Sequence, residues 1–182
     1  ADTRITASQE MQVCANAVAL RREIGLELGR RMHVSSYGML GYALLTSATL
    51  GDALRLALRY PALLGTLFEL SLKVKGDQVW FCADHYHENP QLAVFNAQLC
   101  LVSLTVICQD LLGQPLPLLA ARFAHSKPDY HASYDSTFDC TRTFEAQDNG
   151  FAFARHWLDH PLPLADAITH QAMAVRCRKQ NL

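Results

Sequence analysis

At 182 residues, half of them hydrophobic and 18% charged, the chain has the composition of a folded globular protein, which excludes a disordered, charge-rich segment. Its length fits one domain, or one domain with a helical appendage. A formal net charge of -1 with no cluster of basic residues excludes a strong grip on nucleic-acid phosphates by this piece alone.

The predicted elements run as follows. Thr6 and Gln9 have capping-box spacing, and Met11, Cys14, Ala15 and Val18 follow at helical intervals, which predicts a helix over about residues 7–22. From Ile24 to Tyr42 four glycines (Gly25, Gly29, Gly38, Gly41) predict short, broken helices with close backbone approach. Thr49 with Asp52 caps a helix carrying the stripe Leu50, Ala53, Leu54, Ala57 and Leu58, and Pro61 stops it. From Phe68 the period becomes two, with Phe68, Leu70, Leu72 and Val74 alternating with Glu69, Ser71, Lys73 and Lys75. Gly76-Asp77 turns that strand into a second one over Val79 to His85.

Asn89-Pro90 opens a long apolar helix ending at Gly113. Its Asn96, Gln98, Ser103, Gln109 and Asp110 are too costly for a lipid-facing span, so it reads as a buried helix and not as a membrane anchor. A strand is expected at Leu119 to Phe123 and a short helix from Pro128 through Tyr134. Thr141 to Ala146 and Phe151 to Arg155 flank Asn149-Gly150, which predicts a second tight hairpin. After Pro161 and Pro163 a last helix is expected over about Ala165 to Lys179, with Ile168, Ala172 and Val175 on one side. The order predicts an α+β fold: a mixed, mainly antiparallel sheet with packed helices in a single domain over residues 1–182.

Six dispersed cysteines (Cys14, Cys82, Cys100, Cys108, Cys140, Cys177), with no Cys-x-x-Cys pair and no secretion signal, suit a reducing cytoplasm. The chain opens at Ala1 without an initiator methionine, which predicts residues upstream. Sequence motifs for hydrolases, zincins, P-loops and dinucleotide binding are missing, and no cofactor is called for. His85 and His87, two apart on a strand, would share a face and reach one metal ion, although no third ligand is identifiable; the alternative is a polar strand end. His156 and His160 are a weaker pair, and Cys100 and Cys108 read as core. Tyr37, Tyr42, Arg59, Tyr60, Trp80, Arg122 and His125 are the candidates to line a small-molecule cavity. Each also has a structural use, as an amphipathic residue at a core edge or as a cation covering apolar surface.

The run Ser36-Tyr37-Gly38-Met39-Leu40-Gly41-Tyr42-Ala43-Leu44-Leu45-Thr46-Ser47-Ala48-Thr49-Leu50-Gly51-Asp52-Ala53-Leu54, followed by Arg59-Tyr60, is the most distinctive stretch. With Arg4-Ile5, Gly25-Leu26-Glu27-Leu28-Gly29, His125, Pro128, Tyr130, Phe138, Phe144, Asn149, Phe151 and Pro161-Leu162-Pro163-Leu164-Ala165-Asp166, it resembles the arabinose-binding-type N-terminal domain of AraC/XylS-family transcription regulators. The resemblance covers nearly the whole chain. It departs from the family's pattern at Thr6, where a proline is expected, and at Thr141-Arg142, where a more apolar, proline-containing strand is expected.

The resemblance implies an effector-sensing and dimerisation domain, with no enzymatic activity, whose DNA-binding half of two helix-turn-helix units is absent from this sequence. Promoter DNA would be reached only through that missing C-terminal domain. The expected partners are a small-molecule effector and a second copy of the chain, with no membrane and a cytoplasmic location. A sugar is not implied, because related regulators respond to amino acids, fatty acids and other metabolites. The effector is expected between the sheet and the long helix from Pro90 to Leu112, and dimerisation on the terminal or the long central helix.

Overall fold

The first helix forms where its capping chemistry predicts. The Thr6 hydroxyl accepts from the Gln9 amide, the Gln9 side chain accepts from the Thr6 amide, and α1 runs Ala7–Leu20. The computed structural model describes residues 6–180, so the Arg4-Ile5 part of the family pattern lies outside the described residues. The glycine-rich stretch breaks as expected into α2 (Ile24–Arg31), a 3-10 turn (Val34–Tyr37) and α3 (Gly38–Leu45). Thr49 caps α4 (Leu50–Arg59), and Pro61 begins the single turn α5 (Pro61–Leu64).

The long helix α6 (Ala93–Leu112) is preceded by a 3-10 turn (Pro90–Leu92) capped by Asn89, and Gly113 ends it in the left-handed region at φ 69°. By length and composition it could cross a membrane, yet it is the central core element, with Leu101, Val102, Leu104, Cys108 and Leu111 buried. One side of it packs against α2 at very short range. A Cβ added at Gly25 would stand 2.6 Å from the Phe95 carbonyl oxygen, and one at Gly29 would stand 2.7 Å from Val102 Cβ. Two glycines four residues apart thus clear one face of α2, and α6 fills it with backbone at Gly25 and with the Val102 side chain at Gly29.

Among the described residues five strands form one sheet in the order β1-β2-β5-β3-β4. The hairpin of β1 (Glu69–Lys75) and β2 (Gln78–Asp84) closes through Gly76 at φ 57°. β5 (Asn149–Ala154) pairs antiparallel with both β2 and β3 (Leu118–Arg122), and β4 (Thr141–Thr143) lies parallel to β3 at the edge. The sheet's inner face, carrying Val79, Phe81, Ala121, Phe151 and Phe153, is buried under α6. The fold is α+β with a mixed, mainly antiparallel sheet, as the sequence pattern predicts.

Two expectations are corrected. Asn149-Gly150 is not a hairpin turn: both residues are buried inside β5, and β4 pairs with β3 instead of β5. Gly150 serves close approach, since a Cβ there would lie 2.6 Å from the Phe81 carbonyl oxygen, and Asn149 accepts the Ala124 amide at 2.9 Å. Segment 131–134, predicted as part of a short helix, is a 3-10 turn (His131–Tyr134).

The segment around Pro161 and Pro163 is strapped to the α3–α4 connection by hydrogen bonds from Leu50 to His160, Leu162 to Ala48 and Asp166 to Thr46. It leads into α7 (Ala167–Gln180), which packs on α3. His170 and Cys177 turn inward, with His170 Nδ1 3.0 Å from the Ala43 carbonyl oxygen. The side bearing Ile168 and Val175 turns outward, and Ile168 is 82% exposed.

Candidate ligand-binding site

Polar residues recur along α6 at a spacing that places them on one stripe. Asn96, Cys100 and Ser103, at i, i+4 and i+7, face a half-open cavity of about 280 Å³ also lined by Tyr37, the loop from Gly65 to Leu67, and Phe68 and Leu70 at the start of the sheet. Leu64, Leu67, Leu99, Leu104 and Ile107 make most of the wall apolar, and Glu10 of α1 stands at the rim. A mostly apolar hollow with a few convergent polar groups is the usual form of a small-molecule site.

The polar groups are already oriented. Ser103 donates its hydroxyl proton to the Cys100 carbonyl at 3.0 Å, and Asn96 donates an amide proton to the Tyr86 hydroxyl at 2.8 Å. Thr66 accepts the Phe68 amide at 3.2 Å and lies 3.7 Å from Cys100 Sγ. Burial raises the Tyr37 hydroxyl above its ordinary pKa, opposed by its hydrogen bond with Ser103. Burial also pushes the Cys100 thiol up to about 11, against the opposing Thr66 contact, so the cavity holds a neutral thiol and no thiolate.

A second cavity of about 320 Å³ lies across Phe68, between the first turn of α6 and the end of the sheet, and includes Ala83, His85, Ala97, His125 and Asn149. Phe68 lines both cavities and so stands between them, its ring centroid 5.0 Å from that of Tyr86 with the planes tilted by 36°. The carboxylates here are engaged: Asp148 with Arg122 at 2.6 Å and Lys73 at 3.5 Å, and Asp84 with Lys73 at 3.0 Å. Behind the wall runs a buried polar chain. Gln98 donates to the Tyr130 and Tyr134 hydroxyls at 3.0 and 2.8 Å, and Tyr134 meets His125 Nε2 at 3.2 Å.

The seven residues singled out from sequence are dispersed. Tyr37 lines the first cavity and His125 the second. Trp80 and Arg122 pair with each other, the guanidinium carbon 4.1 Å from the ring centroid, on the sheet face turned away from α6. Arg59 lines an open groove between α4 and the start of α7, Tyr60 is buried at the end of α4, and Tyr42 is 62% exposed on α3. The sequence reading missed Asn96, Ser103 and Thr66 as lining residues and took Cys100 as core. The first two were visible only as polar exceptions in an apolar helix, and their helical spacing was the available signal.

His85 and His87 do not share a strand face, because β2 ends at Asp84 and His85 turns into the left-handed region at φ 50°. Their ring centroids are 6.3 Å apart, and His87 lies 3.6 Å from Glu69. Among the described residues no group of three His, Cys, Asp or Glu side chains is placed to hold a metal ion.

Residues 1–162 match the family model for the arabinose-binding domain of AraC transcription regulators, N-terminal. The chain belongs to this family. Among its relatives, the ornithine utilization regulator of Pseudomonas aeruginosa is 31% identical over 168 residues, which is 92% of this chain and 50% of that protein. The HTH-type transcriptional regulator VqsM of the same organism is 26% identical over 153 residues, 81% of this chain and 47% of that protein. The chain therefore spans about half the length of the curated relatives it matches. The crystal structure of the transcriptional regulator CdpR from Pseudomonas aeruginosa superposes with a TM-score of 0.73 over 98% of this chain and 67% of that one, at 19% identity. That likeness establishes that the two share a fold. This AraC-type domain is thus a regulatory, ligand-binding type of domain, and its relatives are transcription regulators.

Proposed function

We propose that this AraC-type domain senses a small effector in the cavity between α6 and β1, and that occupancy resets a DNA-binding domain joined to it in the full-length regulator. The observation that carries the reading is the half-open cavity of about 280 Å³ in which Asn96, Cys100 and Ser103 present one polar stripe to an apolar hollow. Tyr37 connects it to the rest of the molecule. It immediately precedes α3, and α3 is the helix on which α7 is docked. A ligand that moves Tyr37 therefore moves α3, α7 and whatever follows. The coupling available to such a switch is typically about 1–3 kcal/mol, and it equals the difference in ligand affinity between the two states.

The domain works as a homodimer in this reading, with the contact on the outer face of α7. α6 is enclosed by α2 and the sheet, whereas α7 leaves Ile168 and Val175 to solvent. The output is a change of shape. The thiol of Cys108 is pushed to about 12 by burial, and that of Cys100 to about 11, so neither supplies a nucleophile. DNA reading belongs to the attached helix-turn-helix domain, in the cytoplasm.

The test is thermal unfolding of the purified domain against a metabolite library, with Ser103→Leu as the filled-cavity control. A ligand at 100 times its Kd stabilises by about 2.7 kcal/mol. Stabilisation of the wild type that Ser103→Leu abolishes is expected. Stabilisers that act equally on both proteins would place the effector elsewhere, and a complete lack of response would make the domain a structural module.

A further inference from the structure

The first cavity has a chemical bias of its own. Among the described residues its lining contains no Arg, Lys or His side chain and one carboxylate, that of Glu10 at the rim. Its interior polar groups are neutral and offer both donors and acceptors: Ser103 gives its proton to the Cys100 carbonyl and keeps oxygen lone pairs, while Asn96 gives one amide proton to Tyr86 and keeps a second amide proton and its side-chain carbonyl. Burial keeps Tyr37 and Cys100 in their neutral forms.

A carboxylate or phosphate entering such a hollow would give up hydration with no cation in the described lining to offset the loss. A hydroxyl or an amine can donate to the Ser103 oxygen or the Asn96 carbonyl at a smaller desolvation cost, and an ammonium gains a counter-charge from Glu10. Size narrows the class further. A cavity of about 150 Å³ holds benzene, so one of about 280 Å³ takes roughly ten to twelve non-hydrogen atoms.

From a mostly apolar lining whose interior polar groups are neutral and whose one charge is the Glu10 carboxylate, we infer that the effector is a small, largely apolar alcohol, phenol or amine, and that anionic metabolites and α-amino acids, whose carboxylate meets no cation in this lining, bind far more weakly. This rests on the reading that the α6–β1 cavity is the effector site. It separates this chain from what the name of its ornithine-utilization relative would suggest.

Three probes on one skeleton test it: 2-phenylethanol, 2-phenylethylamine and phenylacetate, titrated calorimetrically into the wild-type domain, Ser103→Leu and a second filled variant, Ile107→Phe. The alcohol and the amine should bind the wild type and be lost in whichever filled variants fold. Phenylacetate should be weaker on the order of 100-fold. Glu10→Gln should weaken the amine several-fold and leave the alcohol unchanged. Cavity-dependent binding of phenylacetate as tight as that of the alcohol would overturn the inference while keeping the site. Failure of all three probes, with cavity-dependent stabilisers from the library proving anionic, would overturn it as well. Binding unaffected by either filled variant would overturn the inference and the site reading together.

Discussion

The Ser126 carbonyl lies 2.8 Å from His125 Nδ1, and a carbonyl can only accept, so the imidazole carries its proton there and offers Nε2 as an acceptor to Tyr134. Tyr134 is fully buried and has one oxygen to receive the Gln98 amide and one proton to give His125. Tyr134→Phe keeps the ring but strands both neighbours. We expect a loss of about 1–3 kcal/mol, read from denaturant unfolding, whereas a residue serving only as filler would tolerate the change. His125 also makes stability depend on pH. Burial lowers its pKa from the ordinary 6.5, against the opposing Ser126 hydrogen bond, so on acidification the unfolded chain takes the proton first. Its contribution is complete above 6.5 and is lost as pH falls through the lower folded value. The unfolding midpoint of the wild type should therefore drop more between about pH 7.5 and about pH 5 than that of His125→Gln; equal slopes would assign the acid sensitivity to other groups.

At the scale of elements, the α2–α6 contact decides where the cavity stripe points, because α2 holds the adjoining side of α6, with Leu99 at the border of the two. Gly25 and Gly29 permit that contact. Gly25→Ala drives a Cβ against the Phe95 carbonyl, which is backbone and cannot swing away, and Gly29→Ala meets the branched Val102 side chain. Each should cost about 1–3 kcal/mol, or about 2–4 °C of Tm per kcal/mol in a domain of this size. Alanine is the better helix former by about 1 kcal/mol, so a rise in Tm would show that the helices are not packed this closely. The local signals along the chain varied in their reach. Caps at Thr6 and Thr49 and the hairpin turn at Gly76 were legible because their partners lie within three residues. The Asn149-Gly150 pair carried an equally strong local turn signal and lost to β2 and β3, which enclose it from both sides.

For the whole molecule, the exposed side of α7 carries the assembly prediction. Ile168→Glu combined with Val175→Glu should leave folding nearly unchanged, since exposed substitutions usually lie within about 0.5 kcal/mol of neutral. It should turn a dimer into a monomer in sedimentation velocity; a persistent dimer would move the interface elsewhere. Of the candidate site, Tyr37 and the general location beside the long helix were legible in sequence. The other predicted lining residues were not separable from core-edge tyrosines and surface arginines, because residue type says what a side chain can bind and not which hollow it faces. Arg122 shows the difficulty, since its guanidinium is already shared among Trp80, Asp148 and Cys82.

Sequence by itself determined the elements with local causes, the α+β class, and membership of the AraC-type family through an ordered set of glycine and proline blocks. Tertiary structure alone decided the strand order, the parallel docking of β4 on β3, and the gathering of Thr66, Asn96 and Ser103 around one cavity. The reason is range: a cap or a two-residue turn is satisfied by neighbours along the chain, whereas a sheet edge or a cavity wall is built by residues that meet only after α6 has been buried.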